Sequence, residues 1–249
     1  MLSRPFWIPL VALIRQQLLH LWRDRNRVLS FTAFPLLFWL VVGSGFGDLG
    51  RFYSGALTLA LVFSAALSAM SVIEERDQGV LLSALASPSS RLAIVVGKVL
   101  GSGLVAWVQG VLLLVFLPVA GLHPAAAHIV GVLALLLLVA LACAAAGFLL
   151  AWQSGSAHGF HALVNLVFFP LWMLSGTLFE VNQAHSWVKV LSLLNPLTYP
   201  TQALKLLLAS ATPSDNILWT GYGVPGILAL GLIGAGASLL HKRSSRGLA

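Results

Sequence analysis

The 249-residue sequence holds a single cysteine and only seven acidic residues. Cys143 lies in an alanine-rich apolar run, which excludes an internal disulfide and offers no zinc-type ligand spacing. Charge of either sign is scarce: 8% of residues are Asp, Glu, Lys or Arg, 59% are hydrophobic, and mean hydropathy is +0.94. That composition lies far outside the range of soluble globular domains and points to a multi-span membrane protein. Charge is absent from the middle of every long apolar run, with Lys98 at the edge of one, which argues against a carrier coupled to ions through buried charges. A cleavable leader is lacking too, because Arg4, Pro5, Pro9 and Arg15 interrupt the start and no small-residue cleavage site follows, so the first span is expected to remain as an anchor. No Gly-x-x-x-x-Gly-Lys-Ser/Thr phosphate loop occurs: Gly97-Lys98 is followed by Val99 and has no upstream partner glycine. Any ATP used is therefore expected to be hydrolysed by another polypeptide.

Long apolar sequence is what the chain has in abundance. About 20 apolar residues cross a hydrocarbon core as a helix, and a backbone in lipid must satisfy its own hydrogen bonds, so each such run is expected to be helical. Six qualify: 28–46, 52–73, 92–119 (charge-free from 99), 129–152, 162–179 and 217–240. Within the segment 180–209, Lys189, Pro196, Pro200 and Lys205 break the apolar pattern, so it reads as an external re-entrant or interfacial stretch of short helices. Eleven of the 14 Lys and Arg residues fall on one side of this topology and only Arg51, Lys189 and Lys205 on the other. The positive-inside rule then places both termini in the cytoplasm, and a seventh span would break that parity. The expectation is an all-α polytopic membrane protein with one transmembrane domain over 1–249.

Ahead of the first span, over 4–27, Leu10, Leu13, Ile14, Leu18, Leu21 and Trp22 recur at helical spacing opposite Gln16, His20, Arg23 and Arg27. This is an amphipathic helix, expected at the cytoplasmic interface with its arginines at the lipid headgroups. The net charge of +7 has the same reading: its basic residues flank apolar segments, so they serve topology and anionic lipid and not nucleic acid.

Between the second and third spans lies a cytoplasmic loop, 74–91, that opens with three of the seven acids, Glu74, Glu75 and Asp77, around Arg76. Gly79 permits a backbone reversal, the run from Val80 through Leu82 and Leu85 to Ala86 forms a short apolar helix, and Pro88 stops it. That helix is too short to cross a bilayer and too apolar to stand in water, so it needs a partner surface or the interface. At the other face, Glu180 stands near Asn182, His185 and Lys189, and Asn195-Pro196 and Tyr199-Pro200 break the segment into short helices.

The order of these features resembles the membrane subunits of type 2 ATP-binding-cassette (ABC) exporters over nearly the whole chain. The matching pieces are Arg23-Asp24 closing the amphipathic helix, Pro35 early in the first span, and Glu75, Arg76 and Gly79 after the second. They continue with Ser87-Pro88, Gly97-Lys98, Ser175-Gly176 with Phe179, and Asn195 to Tyr199. Two positions depart from the pattern: Glu180 stands where the family often has proline, and the external segment 47–51 is shorter than is usual. The resemblance implies a homodimer of six-helix subunits in a bacterial inner membrane, each docking one cytoplasmic ATPase that binds the ATP and magnesium. It implies coupling roles for Glu74, Glu75, Arg76, Asp77, Gly79, Leu82, Leu85 and Pro88, with Arg15, Arg23 and Asp24 on the interface helix. Phe179, Glu180, Asn195, Pro196 and Tyr199 become candidates for an external gate.

The same residues bear on other functional classes. His158 and His161 share a helix face, and His123 and His128 bracket the opposite loop, so a haem or metal protein is the first rival; two ligands one turn apart do not make a site. Ser154-Gly155-Ser156 beside His158 would put nucleophile and base on one loop, a poor arrangement for a protease. An ion-coupled carrier is the remaining rival. An apolar path lined by Phe38, Trp39, Phe168, Phe169 and Trp172 would suit an amphiphilic or lipid-like cargo.

Overall fold

A computed structural model describes residues 4–23, 25–79 and 91–245, and within them the regular structure is entirely helical. In chain order the helices are α1 (Arg4–Arg23), α2 (Arg25–Gly45), α3 (Leu49–Ser68), α4 (Met70–Asp77) and α5 (Arg91–Leu113). They continue as α6 (Ala126–Gln153), α7 (Ala157–Trp172), α8 (Ser186–Leu194), α9 (Thr198–Leu208) and α10 (Asp215–Ser245). Among the described residues five stretches are long and apolar enough to cross a membrane: Leu49–Asp77, Leu92–Phe116, Ala126–Gln153, Ala157–Thr177 and Asp215–Leu240. The apolar part of α2, Thr32–Gly45, is shorter. Asp24, and the loop residues Leu82, Leu85 and Pro88, lie outside the described residues.

Lipid tails are as apolar as leucine, so helices in a membrane gain little by hiding apolar surface from one another. They associate through close packing and hydrogen bonds instead. The sequence of α3 meets that need with Gly55, Ala56, Ala60, Ala65 and Ala66, and α3 becomes the hub, packed by α2, α5, α6, α7 and α9. Of the apolar part of Leu49–Asp77 83% is buried, against 22% for that of α10. Where α6 crosses α3, Gly147 sits on the backbone of Ala66 so closely that a Cβ would come within 2.8 Å of its Cα.

A break at Ala69 separates α3 from α4 without turning the chain aside, so the two form one rod of 29 residues, roughly 43 Å long at 1.5 Å per residue. The rod ends where Gly79 takes φ +74, the left-handed conformation that glycine adopts freely. At the opposite end of the bundle the expected external segment resolves into a turn at Val181–Gln183 followed by α8 and α9. Of these, α9 is drawn into the bundle, with Thr201, Leu204, Leu207 and Leu208 buried.

The amphipathic helix expected over 4–27 forms α1, Arg4–Arg23. α1 docks directly on α5, where Gly97 admits Leu10 and Leu13, and Gly101 admits Ile14 and Gln17. The spacing Gly97-x3-Gly101 is therefore the seat of α1. Trp7, Val11 and Leu19 are left facing outward.

Candidate functional site

Four helices bring polar side chains together at the Asp77 end of the α3–α4 rod. On its inward face Ser68, Ser71 and Glu75 follow one another at spacings of three and four, one helical stripe, and all are buried. Facing them from α5 is Lys98, 2% exposed despite its charge, and its Nζ is ion-paired with Glu75 Oε1. Gln16 of α1 donates from Nε2 to the same carboxylate oxygen at 3.2 Å, and Gln17 donates to Ser71 Oγ at 2.6 Å. Arg76 reaches across to the end of α6 and donates from Nη1 to the Ser154 carbonyl at 2.8 Å. Its other neighbour is Asp77, at 3.6 Å.

A charge removed from water costs several kcal/mol, roughly, and that cost is met only if partners surround it. Glu75 and Lys98 meet this condition through each other, with Gln16 supplying a further donor. The acids of the loop thus divide: Glu75 is turned inward and Glu74 and Asp77 face outward. Arg15 is exposed on α1, and the side chain of Arg23 is outside the described residues.

At the other end most of the polar side chains bond to backbone carbonyls. After α7 the chain unwinds through a π turn, Met173–Thr177, in which Gly176 takes φ +83. The turn seats Thr177 on Gly55 of α3, where a Cβ would fall 1.8 Å from the threonine Cγ2. Beside it Trp172 donates its indole N–H to the Gly55 carbonyl at 2.8 Å. Ser175 closes the turn by donating to the Trp172 carbonyl at 2.7 Å, which gives Ser175-Gly176 a plain conformational reason.

Asn195-Pro196-Leu197-Thr198-Tyr199 is a knot of side chain to backbone bonds. Asn195 donates to the Leu171 carbonyl and accepts from Leu197 N at 3.0 Å, Thr198 donates to the Ser192 carbonyl at 2.6 Å, and Tyr199 to that of Leu193 at 2.6 Å. These bonds fold α8 back on α9 and fasten both to the end of α7. Phe179 and Pro196 are half-buried beside them. Glu180 is exposed and pairs with Lys205 at 2.8 Å, and the Lys205 ammonium holds its carboxyl below the usual glutamate range, Arg51 adding to the effect. Asp48, Arg51, Glu180 and Lys205 line an open cavity of about 590 Å³ at this end.

The remaining sequence candidates fall elsewhere. His158 and His161 are exposed on α7, and among the described residues no three His, Cys, Asp or Glu side chains converge. Ser154 donates to the Leu150 carbonyl at 2.7 Å and Ser156 caps α7, so both hydroxyls have helix-end roles. Of the aromatics expected along an apolar path, Trp39, Phe168 and Trp172 are core residues of this chain; Trp39 donates to the Leu49 carbonyl at 2.7 Å. Of the other two, Phe38 is half-buried and Phe169 is exposed, at 41%.

Residues 9–208 match the family model of the ABC-2 type transporter, most of the chain, from α1 through α9. The chain belongs to the ABC-2 type transporter family. No curated protein matches it. As the membrane permease subunit of an ABC-2 transporter, it places Glu75, Arg76 and Gly79 at the end of the long central rod, and brings Glu75 and Arg76 into contact with helices that sequence distance kept apart.

Sequence reasoning did not include Gln16, Gln17, Ser71, Lys98 or Ser154 in the site of this ABC-2 subunit. A signal existed for two of them. Lys98 lies inside the spacing Gly97-x3-Gly101 that invites a helix, and Ser71 lies one turn before Glu75 on the same stripe.

Proposed function

We propose that this ABC-2 subunit is the transport half of an exporter that works as a homodimer with a separate cytoplasmic ATPase. Six spans, α2 included, place both termini and the Glu74–Gly79 turn in the cytoplasm of a bacterium whose inner membrane it crosses. The distribution of Lys and Arg supports this orientation. ATP and magnesium belong to the partner ATPase. Closure of two such ATPases pushes on the leucine-rich stretch after Gly79, residues 80–90, and the α3–α4 rod carries the displacement through the membrane to the Glu180 end. An amphiphilic or lipid-like cargo fits helices that expose many large apolar side chains.

The observation that carries this reading is the match to the ABC-2 family across 9–208, with Glu74 and Asp77 facing outward from the rod just where the chain turns into 80–90. Purification of the tagged chain from its native membrane is expected to bring with it an ATPase that contains a phosphate loop. Glu74→Arg with Asp77→Arg is expected to weaken that association while leaving insertion intact. Recovery of the chain without any ATPase, and transport indifferent to ATP, would remove the reading. Alanine at His158 and His161 together is expected to leave transport unchanged, which separates it from the haem or metal alternative.

A further inference from the structure

Glu75 sits in the segment that an ATPase is proposed to engage, yet its carboxylate faces the interior. It is 8% exposed, paired with Lys98, and bonded to Gln16 at 3.2 Å. The three partners come from α4, α5 and α1. Beside them Gln17 joins α1 to Ser71 at 2.6 Å and packs its stem over Gly101 of α5. Every bond in this group therefore runs between two of the same three helices.

We propose that Glu75 and Lys98 form an internal clamp that makes α1, α4 and the first turns of α5 one rigid body, and that Glu75 positions this body without touching the ATPase. Lys98 is then a positioning residue for transport. The physical basis is the asymmetry of buried ion pairs. Removing one partner strands the other charge in an apolar setting, whereas removing or exchanging both leaves no charge stranded. A contact to an outside protein would not show that asymmetry, because exchange of the two residues would present the wrong charge to the partner. The transmission role rests on the ABC reading above; the clamp itself is a property of this chain.

The test has two arms. In the first, spin labels at Val11→Cys on α1 and Leu92→Cys on α5, in a Cys143→Ala background, report the distance between the helices in the purified full chain, and reversible unfolding in mixed detergent reports stability. Lys98→Met and Glu75→Gln alone are each expected to broaden the distance distribution and shift the unfolding equilibrium on the order of 10²–10³-fold. The exchange Glu75→Lys with Lys98→Glu, and the double neutral Glu75→Gln with Lys98→Met, are expected to restore a narrow distribution and most of the stability. If the single variants cannot be recovered as folded protein, recovery of the two double variants still supports the clamp, and their failure overturns it. Single variants indistinguishable from wild type also overturn it.

In the second arm, ATP-driven transport is measured in vesicles with the copurified ATPase. The exchange variant is expected to regain transport that either single variant loses. An exchange variant with a narrow distance distribution but no transport would make Glu75 an outside contact and overturn the positioning role. If the wild-type chain neither binds an ATPase nor responds to ATP, the transport reading falls, and the distance measurement still decides the clamp.

Discussion

The two ends of the bundle hold their polar groups in opposite ways. At the Glu75 end, side chain meets side chain between helices remote in sequence: Gln16 with Glu75, Gln17 with Ser71, Glu75 with Lys98. At the Glu180 end, Asn195, Thr198, Tyr199 and Ser175 donate to carbonyls, three of them within six residues of their own position, and the ion pair between Lys205 and Glu180 is 40% and 48% exposed. The first arrangement joins separate helices side chain to side chain; the second bonds side chains to the backbone around one turn and leaves its charges wet. Under the proposed function the Glu75 end is the stiff one that receives force and the Glu180 end the one that rearranges.

The sharpest way to break the comparison is to delete one lysine at each end. Lys98→Met leaves Glu75 buried and unpaired and is expected to cost about 3–5 kcal/mol of stability. Lys205→Met removes a partner from a pair that water already screens and is expected to cost about 0–1 kcal/mol. Reversible unfolding of both variants in the same detergent measures the gap, and equal costs would erase the distinction between the ends.

Glycines provide the next contrast. A Cβ at Gly101 would meet Gln17 at 2.8 Å, so Gly101→Val drives a wedge under α1, with an expected loss of about 1–3 kcal/mol from overpacking. Nothing lies within 4 Å of a Cβ at Gly45, near the other face, and Gly45→Ala is expected to change stability by less than about 0.5 kcal/mol. The Gly101 variant should also increase the distance between labels on α1 and α5, which a general loss of packing would not do selectively.

A smaller effect probes how the outer turn is held. Tyr199→Phe removes one donor to the Leu193 carbonyl at a solvent-reachable position and is expected to cost about 0.5–1 kcal/mol. Because that bond only shapes the α8–α9 turn, the loss should stay local. Faster amide exchange confined to residues near α8 would agree with this, and exchange spreading to α1 would contradict it.

Most of the helices were legible in the sequence, since the length and hydropathy of a run are local properties that lipid translates directly into helix. The run expected over 129–152 forms Ala126–Gln153, and that over 217–240 falls within Asp215–Ser245. What was not legible was who faces whom. Gly97-x3-Gly101 announces a close neighbour without naming it, and only the fold shows that the neighbour is α1. Likewise Glu74, Glu75 and Asp77 look equivalent in a row, but helical phase turns Glu75 alone toward Lys98. The motif Asn195 to Tyr199 was readable as a chain break, whereas its network of carbonyl bonds depends on α7 ending where it does. Trp39 and Trp172 show the same limit: a lipid-facing, path-lining or core tryptophan has one letter, and the N–H partner decides it.

The least of the expected effects is a pH dependence confined to the outer end. Lys205 donates to Glu180 and attracts its charge, and Arg51 adds to this, so the carboxyl in the folded chain releases its proton at lower pH than in the unfolded chain. A group with a depressed folded pKa stabilises the fold above its unfolded pKa and loses that contribution as pH falls through the folded value. The contribution is thus complete at neutral pH and disappears only below the usual glutamate range, and solvent screening limits it to a fraction of about 1 kcal/mol. Glu180→Gln should remove this acid-side slope from the unfolding curve and leave neutral stability nearly unchanged. The comparison between the ends is sharpened if the slope vanishes in Glu180→Gln and persists in Tyr199→Phe. If acid instead loosens α1 from α5 before it affects the α8–α9 turn, the exposed pair is not the first electrostatic contact to fail, and the assignment of a stiff end and a yielding end must be reversed.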